Sequence, residues 1–307
     1  MGAAEVRTVL EGRVPEVEAQ LSKLGWRFVV AGEAEFPERL ASVADPPLGL
    51  FVRGVLPEGH AVALVGARHA TAYGREVAEY LGRELARAGV AVVSGMARGV
   101  DAAAHRGALA VGGPTAAVWG AGPDRVYPPE HDALAEEIAA CGCLATEYPP
   151  GCAPLAHHFP ERNRIIAGLS EAVVVVEADE RSGALITARL ALEEGREVMA
   201  VPGSVFSRLS AGPNGLLRAG ATPVLTADDV LGALGLPPRP PQPQGEEEPP
   251  LLALIRPGEA MTVDRLAAES HLPVAQVLEA LLALELAGRV ERLADGRYLR
   301  AHISPGP

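Results

Sequence analysis

Lysine is almost absent from this chain. It occurs once in 307 residues, at Lys23, so that 26 of the 27 basic side chains are arginines. No lysine is available for a phosphate-binding loop of the Walker type, and neither that spacing nor a complete G-x-G-x-x-G fingerprint occurs. Ordinary triphosphate hydrolysis and a standard dinucleotide site therefore lose support. Cysteine is scarce as well: Cys141, Cys143 and Cys152 cannot build a disulfide framework, and no second Cys/His cluster at zinc spacing accompanies them. They read as reduced structural residues, and neither a metal nor a cofactor is expected. No apolar run reaches the ~20 residues of a membrane helix. The N-terminus lacks the basic-then-apolar order of a secretory signal. These absences predict a cytoplasmic protein without membrane insertion. A G-x-S-x-G elbow is also missing, so Ser94 and Ser182 have no sequence-evident general base, and no catalytic residue is assigned.

The net charge of -12 argues against indiscriminate adhesion to nucleic acid. Screening over ~10 Å at 0.1 M salt still lets a local arginine cluster act almost independently of distant carboxylates. Such a cluster exists in His157-His158-Phe159-Pro160-Glu161-Arg162-Asn163-Arg164. Read as a loop, it offers guanidinium forks to phosphate oxygens and a Phe159 ring able to stack on any base, with Pro160 stiffening the presentation. The plainer reading is a capping loop whose arginines pair with carboxylates and whose Phe159 belongs to the core.

Short apolar runs alternate with amphipathic stretches from about Ala61 to Leu234, the pattern of helices covering a parallel sheet. Strands are predicted at Ala61–Val65, Val90–Val93, Thr115–Trp119, Leu144–Glu147, Ala172–Glu177, Glu197–Val201 and Thr222–Leu225. A helix is predicted over Arg75–Ala88 with Val77, Leu81, Leu85 and Ala88 on one face. The fold class is α/β, a doubly wound and mainly parallel sheet whose ligands bind at the strand C-terminal ends. A Pro-rich stretch at 236–250 can form neither helix nor central strand and reads as a stiff linker. Beyond it, 251–307 reads as a small winged helix: helices at Thr262–Ala268 and Val274–Ala287, then a hairpin of Arg289–Leu293 and Arg297–Arg300.

Glycine-rich turns follow several strands. Gly66-Ala67-Arg68 precedes a helix whose free N–H groups, with Arg68, suit an anion. Ser94-Gly95 leads to Arg98 and Asp101, Gly120-Ala121-Gly122 ends a third strand, and Ser182-Gly183 opens another helix. Each alone is more readily a tight strand-to-helix turn with no ligand. Their convergence on the arginine-rich segment is what suggests a site.

The run of motifs resembles the DprA/Smf family of DNA-processing proteins over roughly residues 20–235. The resemblance is carried by Val65-Gly66-Ala67-Arg68, Val93-Ser94-Gly95-Met96-Ala97-Arg98-Gly99-Val100-Asp101, Tyr127-Pro128, Phe159-Pro160-Glu161-Arg162-Asn163-Arg164-Ile165-Ile166, Ser182-Gly183-Ala184-Leu185-Ile186-Thr187 and Val201-Pro202-Gly203. It implies an extended Rossmann-like domain at 21–235 that forms a homodimer, binds single-stranded DNA and helps load RecA during natural transformation, past single-strand-binding protein, without enzymatic turnover. Carried over by position, Gly66, Ala67 and Arg68 would hold a phosphate, Ser94, Gly95, Ser182 and Gly183 would present donors, and Phe159 would stack. Arg98, His157 and Asn163 join the DNA-binding set, while Arg162 and Arg164 either touch DNA or brace the loop. Residues 1–20 are too short for the helical SAM-like domain that often precedes such a core. Ala156 stands where members often carry lysine, Ala67 where serine is frequent, and His131 where asparagine is frequent. The tail's second helix holds Glu279 and Glu285 but no lysine or arginine, so it is expected to serve protein contacts, or weak wing contacts through Arg289, Arg292, Arg297 and Arg300. Two other classes stay open: an enzyme that binds or processes nucleotides in the same crevice, and a scaffold whose arginines are purely structural.

Overall fold

The computed structural model describes residues 17–237, 249–256, 259–286, 289–293 and 296–300. The chain divides into two compact units, Met1–Pro238 and Arg239–Pro307. Most of the expected N-terminal segment, most of the expected Pro-rich linker and residues 301–307 lie outside the described residues.

In the larger unit a helix at 17–24 (α1) precedes β1 (Arg27–Val30), α2 (Glu38–Ala41), β2 (Gly49–Gly54), β3 (Ala61–Val65), α3 (Ala72–Arg87), β4 (Ala91–Ser94) and α4 (Val100–Leu109). Then come β5 (Thr115–Trp119), α5 (Asp132–Cys141), β6 (Cys143–Thr146), α6 (His158–Leu169), β7 (Ala172–Val175), α7 (Gly183–Glu193), β8 (Glu197–Ala200), α8 (Ala211–Arg218), β9 (Thr222–Pro223) and α9 (Ala227–Ala233). The strands form one nine-stranded sheet in the order β1-β2-β6-β5-β4-β3-β7-β8-β9. Strands β3 to β9 pair in parallel, and only β1–β2 and β2–β6 are antiparallel.

Apolar residues on both sides of each central strand explain why helices cover both faces. Ala61, Ala63 and Val65 of β3 pack with Leu40, Ile165, Ile166 and Ala188. Val62 and Leu64 pack oppositely with Leu81, Leu85, Val100, Ala104 and Val230. A third cluster joins Trp26 and Trp119, whose rings lie 5.3 Å apart, to Leu134 and Ile138 of α5. Helices α3 and α4 approach closely because Gly82 faces the Ala104 carbonyl and Gly107 the Glu79 carbonyl, where a Cβ would collide with backbone.

Several expected boundaries move, for local reasons. Helix α3 starts at Ala72 because Thr71 caps it, accepting from Gly74 N–H at 3.1 Å. Its buried face runs through Gly74, Ala78, Leu81 and Leu85, leaving Val77 half-buried and Ala88 exposed. Strand β9 is only two residues long; its Pro223 has no N–H to donate.

The smaller unit contains α10 (Pro250–Leu254), α11 (Val263–Ser270), α12 (Val274–Leu286) and an antiparallel pair, β10 (Val290–Arg292) and β11 (Tyr298–Arg300). Its own core gathers Leu252, Ile255, Leu266, Val277, Leu281, Val290 and Tyr298. Helix α10 is an addition to the sequence reading. Among the described residues no helix is long and apolar enough to cross a membrane.

Candidate nucleic-acid interface

From β3 the chain adds β4, β5 and β6 to one side, and α6 then carries it back to place β7 on the other side. Sheets of this kind leave a crevice at the carboxyl ends of the strands where the winding reverses. A cleft of about 280 Å³ lies there, lined by Val65, Gly66 and Arg68 after β3, Ala97 and Asp101 after β4, Phe159, Arg162 and Asn163 of α6, and Ser182 to Ala184 at the start of α7. The turns after β3, β4 and β7 thus meet the arginine-rich segment.

That segment is not a loop. His158 to Arg164 form the first two turns of α6, with Pro160 in the first turn, where its missing N–H has no intrahelical partner to lose. The buried positions His158, Arg162, Ile165, Ile166 and Leu169 follow the helical period, which turns Arg162 inward.

Arg162 is 4% exposed and donates to the carbonyl of Gly95, at 2.9 Å, and to that of Val118. Gly95 carries no side chain because a Cβ there would overlap this guanidinium. Beneath it Asp101 accepts from Gly95 N–H at 3.1 Å and Ala97 N–H at 3.3 Å. Burial raises the Asp101 carboxyl above its usual range despite the opposing pull of Arg162, and burial likewise lowers Arg162 to about 10, leaving it cationic at neutral pH. The Ser94 hydroxyl donates to the Leu64 carbonyl at 2.6 Å. The hydroxyl of Ser94 and the N–H of Gly95, expected to face a ligand, are therefore engaged inside the protein.

The exposed chemistry lies one layer further out. Arg68 is exposed, has no ion-pair partner among the described residues, and sets its guanidinium carbon 5.1 Å from the centre of the Phe159 ring. Phe159 is half-buried, with Tyr127 at 5.2 Å on another side. Ser182 caps α7, accepting from Ala184 N–H at 3.3 Å, while Gly183 is exposed with open space around it. Gly66 lines the cleft against Val100, and Ala67 is buried with its N–H bonded to the Glu177 carbonyl at 2.6 Å. Asn163 is buried and donates to the Gly183 carbonyl at 3.4 Å.

The remaining candidates stand apart from the cleft floor. Arg98 is exposed and paired with Glu130, and Arg164 is held by Glu147 at 2.6 Å and Asp45 at 3.0 Å. His157 is exposed beside the buried His158. Two participants escaped the sequence reading. Asp101, in the first turn of α4, stood only as part of a glycine-rich run, because no local pattern reports its proximity to the buried Arg162. Tyr127 comes to Phe159 from 32 residues away, and no local pattern reports that contact.

Residues 27–235 match the family model described as DNA recombination-mediator protein A, and residues 235–296 match the DprA winged helix domain. The DNA processing protein DprA of Bacillus subtilis is 41% identical over 225 residues, covering 72% of this chain and 76% of that protein. The X-ray structure of DNA processing protein A from Streptococcus pneumoniae superposes with a TM-score of 0.62 at 40% identity, over 70% of this chain and 77% of that one. DNA processing protein A from Helicobacter pylori, whose structure addresses its single-stranded DNA binding mode, gives a TM-score of 0.62 at 30% identity, over 68% of this chain and 95% of its own. With matches across both units and a shared fold, this chain belongs to the DNA recombination-mediator protein A family, the DprA/Smf group of DNA-processing proteins.

Proposed function

We propose that this chain binds single-stranded DNA in the cleft at the carboxyl ends of β3, β4 and β7 and acts there as a recombination mediator that passes the strand to RecA. The observation that carries the reading is the exposed, unpaired Arg68 held over Phe159 at the mouth of the cleft. A guanidinium free of carboxylates attracts phosphate, and an aromatic ring beside it stacks on bases of any identity. The first N–H groups of α7, at Gly183, add a second anion-seeking surface. Arg162 and Asn163 brace this arrangement from beneath, and Arg164 ties α6 to Glu147 and Asp45. The single-stranded DNA described for the Helicobacter pylori relative supports the same ligand class here. A homodimer and contact with single-strand-binding protein belong to the same proposal. The two serines that a nucleotide-processing enzyme would recruit are occupied, Ser94 on Leu64 and Ser182 as a helix cap.

The test is binding of a fluorescent oligo-dT strand and a matched duplex at two salt concentrations. The single strand should win, and higher salt should weaken it because neutralised phosphates release counterions. Arg68→Ala and Phe159→Ala should each cost at least about fivefold, since stacking of one base is worth ~1–3 kcal/mol. Equal binding by both variants and the parent would remove the cleft as the site.

A further inference from the structure

We propose that His157, His158 and Glu161 form a binding site for a divalent first-row transition ion of the zinc class. One ligand atom from each of these side chains lies within 4.8 Å of those of the other two. The order H-H-x-x-E at the start of α6 produces this convergence, because Glu161 stands three residues after His158 and four after His157, positions that share one side of a helical turn. Two imidazoles and one carboxylate are the donor set of zinc sites that keep an open coordination position. Such a set is softer than the all-oxygen shells that suit magnesium or calcium.

The groups behind the ligands are arranged as a metal would require. His158 Nδ1 lies 3.2 Å from the Gly120 carbonyl, which can only accept, so Nδ1 carries the proton and Nε2 keeps its lone pair. The ring is buried and stacked on Tyr148 with centroids 4.0 Å apart, which limits its rotation. The Tyr148 hydroxyl donates to Glu161 Oε2 at 2.9 Å and leaves Oε1 open. Metal-bound histidines commonly donate their second N–H to a carbonyl, and their carboxylate companions are themselves hydrogen-bonded. Among the described residues the His157 ring has no hydrogen-bond or ion-pair partner, and it meets His158 edge-on at 4.5 Å. It is exposed and free to turn. Metal bonds of ~2.0–2.1 Å imply ligand spacings of ~3.3 Å, so binding would draw the three ligand atoms together from their present separations of up to 4.8 Å.

Cysteine and histidine spacings alone point to no metal in this sequence; the third ligand here is a glutamate on the same helix.

The experiment titrates the metal-free full chain with Zn2+ in competition with a chromophoric chelator, and separately with Co2+ as a spectroscopic substitute. One equivalent per chain is expected. Cobalt should give visible d–d bands without the near-ultraviolet thiolate band that coordination by Cys141 or Cys152 would add. His157→Ala and Glu161→Gln should each weaken Zn2+ binding by at least about tenfold, and Tyr148→Phe by about tenfold through the lost carboxylate hydrogen bond. His60→Ala, whose ring pairs with Glu171, should titrate like the parent. The proposal fails if the parent binds no Zn2+, if His157→Ala and Glu161→Gln bind it as the parent does, or if the cobalt spectrum is that of a thiolate. No DNA enters these titrations, so their outcome is independent of the oligonucleotide test.

Discussion

Arg162 sits where a reading by residue type alone would send an arginine to solvent, yet it is 4% exposed and holds two backbone carbonyls beside a buried carboxylate. Replacing it with alanine leaves Asp101 buried without its counter-charge and takes this donor from the Gly95 and Val118 carbonyls. Removal of one partner from such a buried arrangement costs ~3–5 kcal/mol, so Arg162→Ala should shift the urea midpoint strongly, and a loss below about 1 kcal/mol would contradict the bracing role. His105 offers a second test. It is fully buried, its Nδ1–H donates to Thr115 Oγ1 at 2.7 Å, and burial, with Arg162, His131 and Arg106 adding, pushes its pKa down to about 3. Thr115 in turn donates to the Val92 carbonyl at 2.8 Å, which fixes this direction. The unfolded chain takes up a proton near pH 6.5 that the folded chain refuses until about pH 3. Stability is therefore complete above pH 6.5 and declines as pH falls through that window, by up to ~1.4 kcal/mol per pH unit for this one group. Urea midpoints measured from pH 7 to pH 4 should fall less steeply for His105→Gln than for the parent; identical slopes would exclude the assignment.

At the scale of elements, α6 lies within reach of the sequence. Proline and six charged or polar residues cluster at 157–164 and suggest a loop, yet the helical period of Ile165, Ile166 and Leu169 extends back through Arg162 to His158. Proline at the third position of a helix is no obstacle to that period. In the smaller unit, the helix–helix–hairpin order did follow from periodicity and turn chemistry. Helix α12 exposes Val274, Leu278 and Leu282 at four-residue spacing, accompanied by Glu279 and Glu285. An apolar and acidic face is poorly suited to a major groove, which is read by basic and amide side chains. Deleting residues 239–307 should therefore lower duplex affinity by less than about tenfold, a loss equivalent to ~1.4 kcal/mol. A larger drop in a fluorescence titration would assign duplex contacts to the wing arginines instead.

For the whole molecule, the net charge of -12 and the single exposed Arg68 at the cleft imply few phosphate contacts and a shallow salt dependence. The apolar side chains left exposed between 185 and 236 include Leu192 at 59%, Val205 at 84%, Phe206 at 97% and Leu225 at 73%. Val205 and Phe206 are neighbours in the chain, and contiguous exposed apolar area marks association surfaces. Sedimentation at micromolar concentration should report a dimer, and Phe206→Asp should shift the chain towards monomer if this pair takes part. A parent chain that sediments as a monomer would dispose of the dimer proposal.

Sequence by itself determined the parallel sheet, the turns at its carboxyl edge and the winged tail, because each follows from a local period of apolar residues or from glycine and proline at fixed places. The cysteines and the missing phosphate-loop lysine likewise limited the chemistry before any fold was known. Tertiary structure decided which charges are spare. Six of the candidate residues, Ala67, Ser94, Arg98, Arg162, Asn163 and Arg164, turn out to be engaged by backbone or carboxylate groups distant in the chain, while Arg68 alone among the candidate arginines keeps an unpaired guanidinium at the cleft among the described residues. Such pairings depend on which strands become neighbours. A pattern read along one strand or helix carries no record of what packs across it.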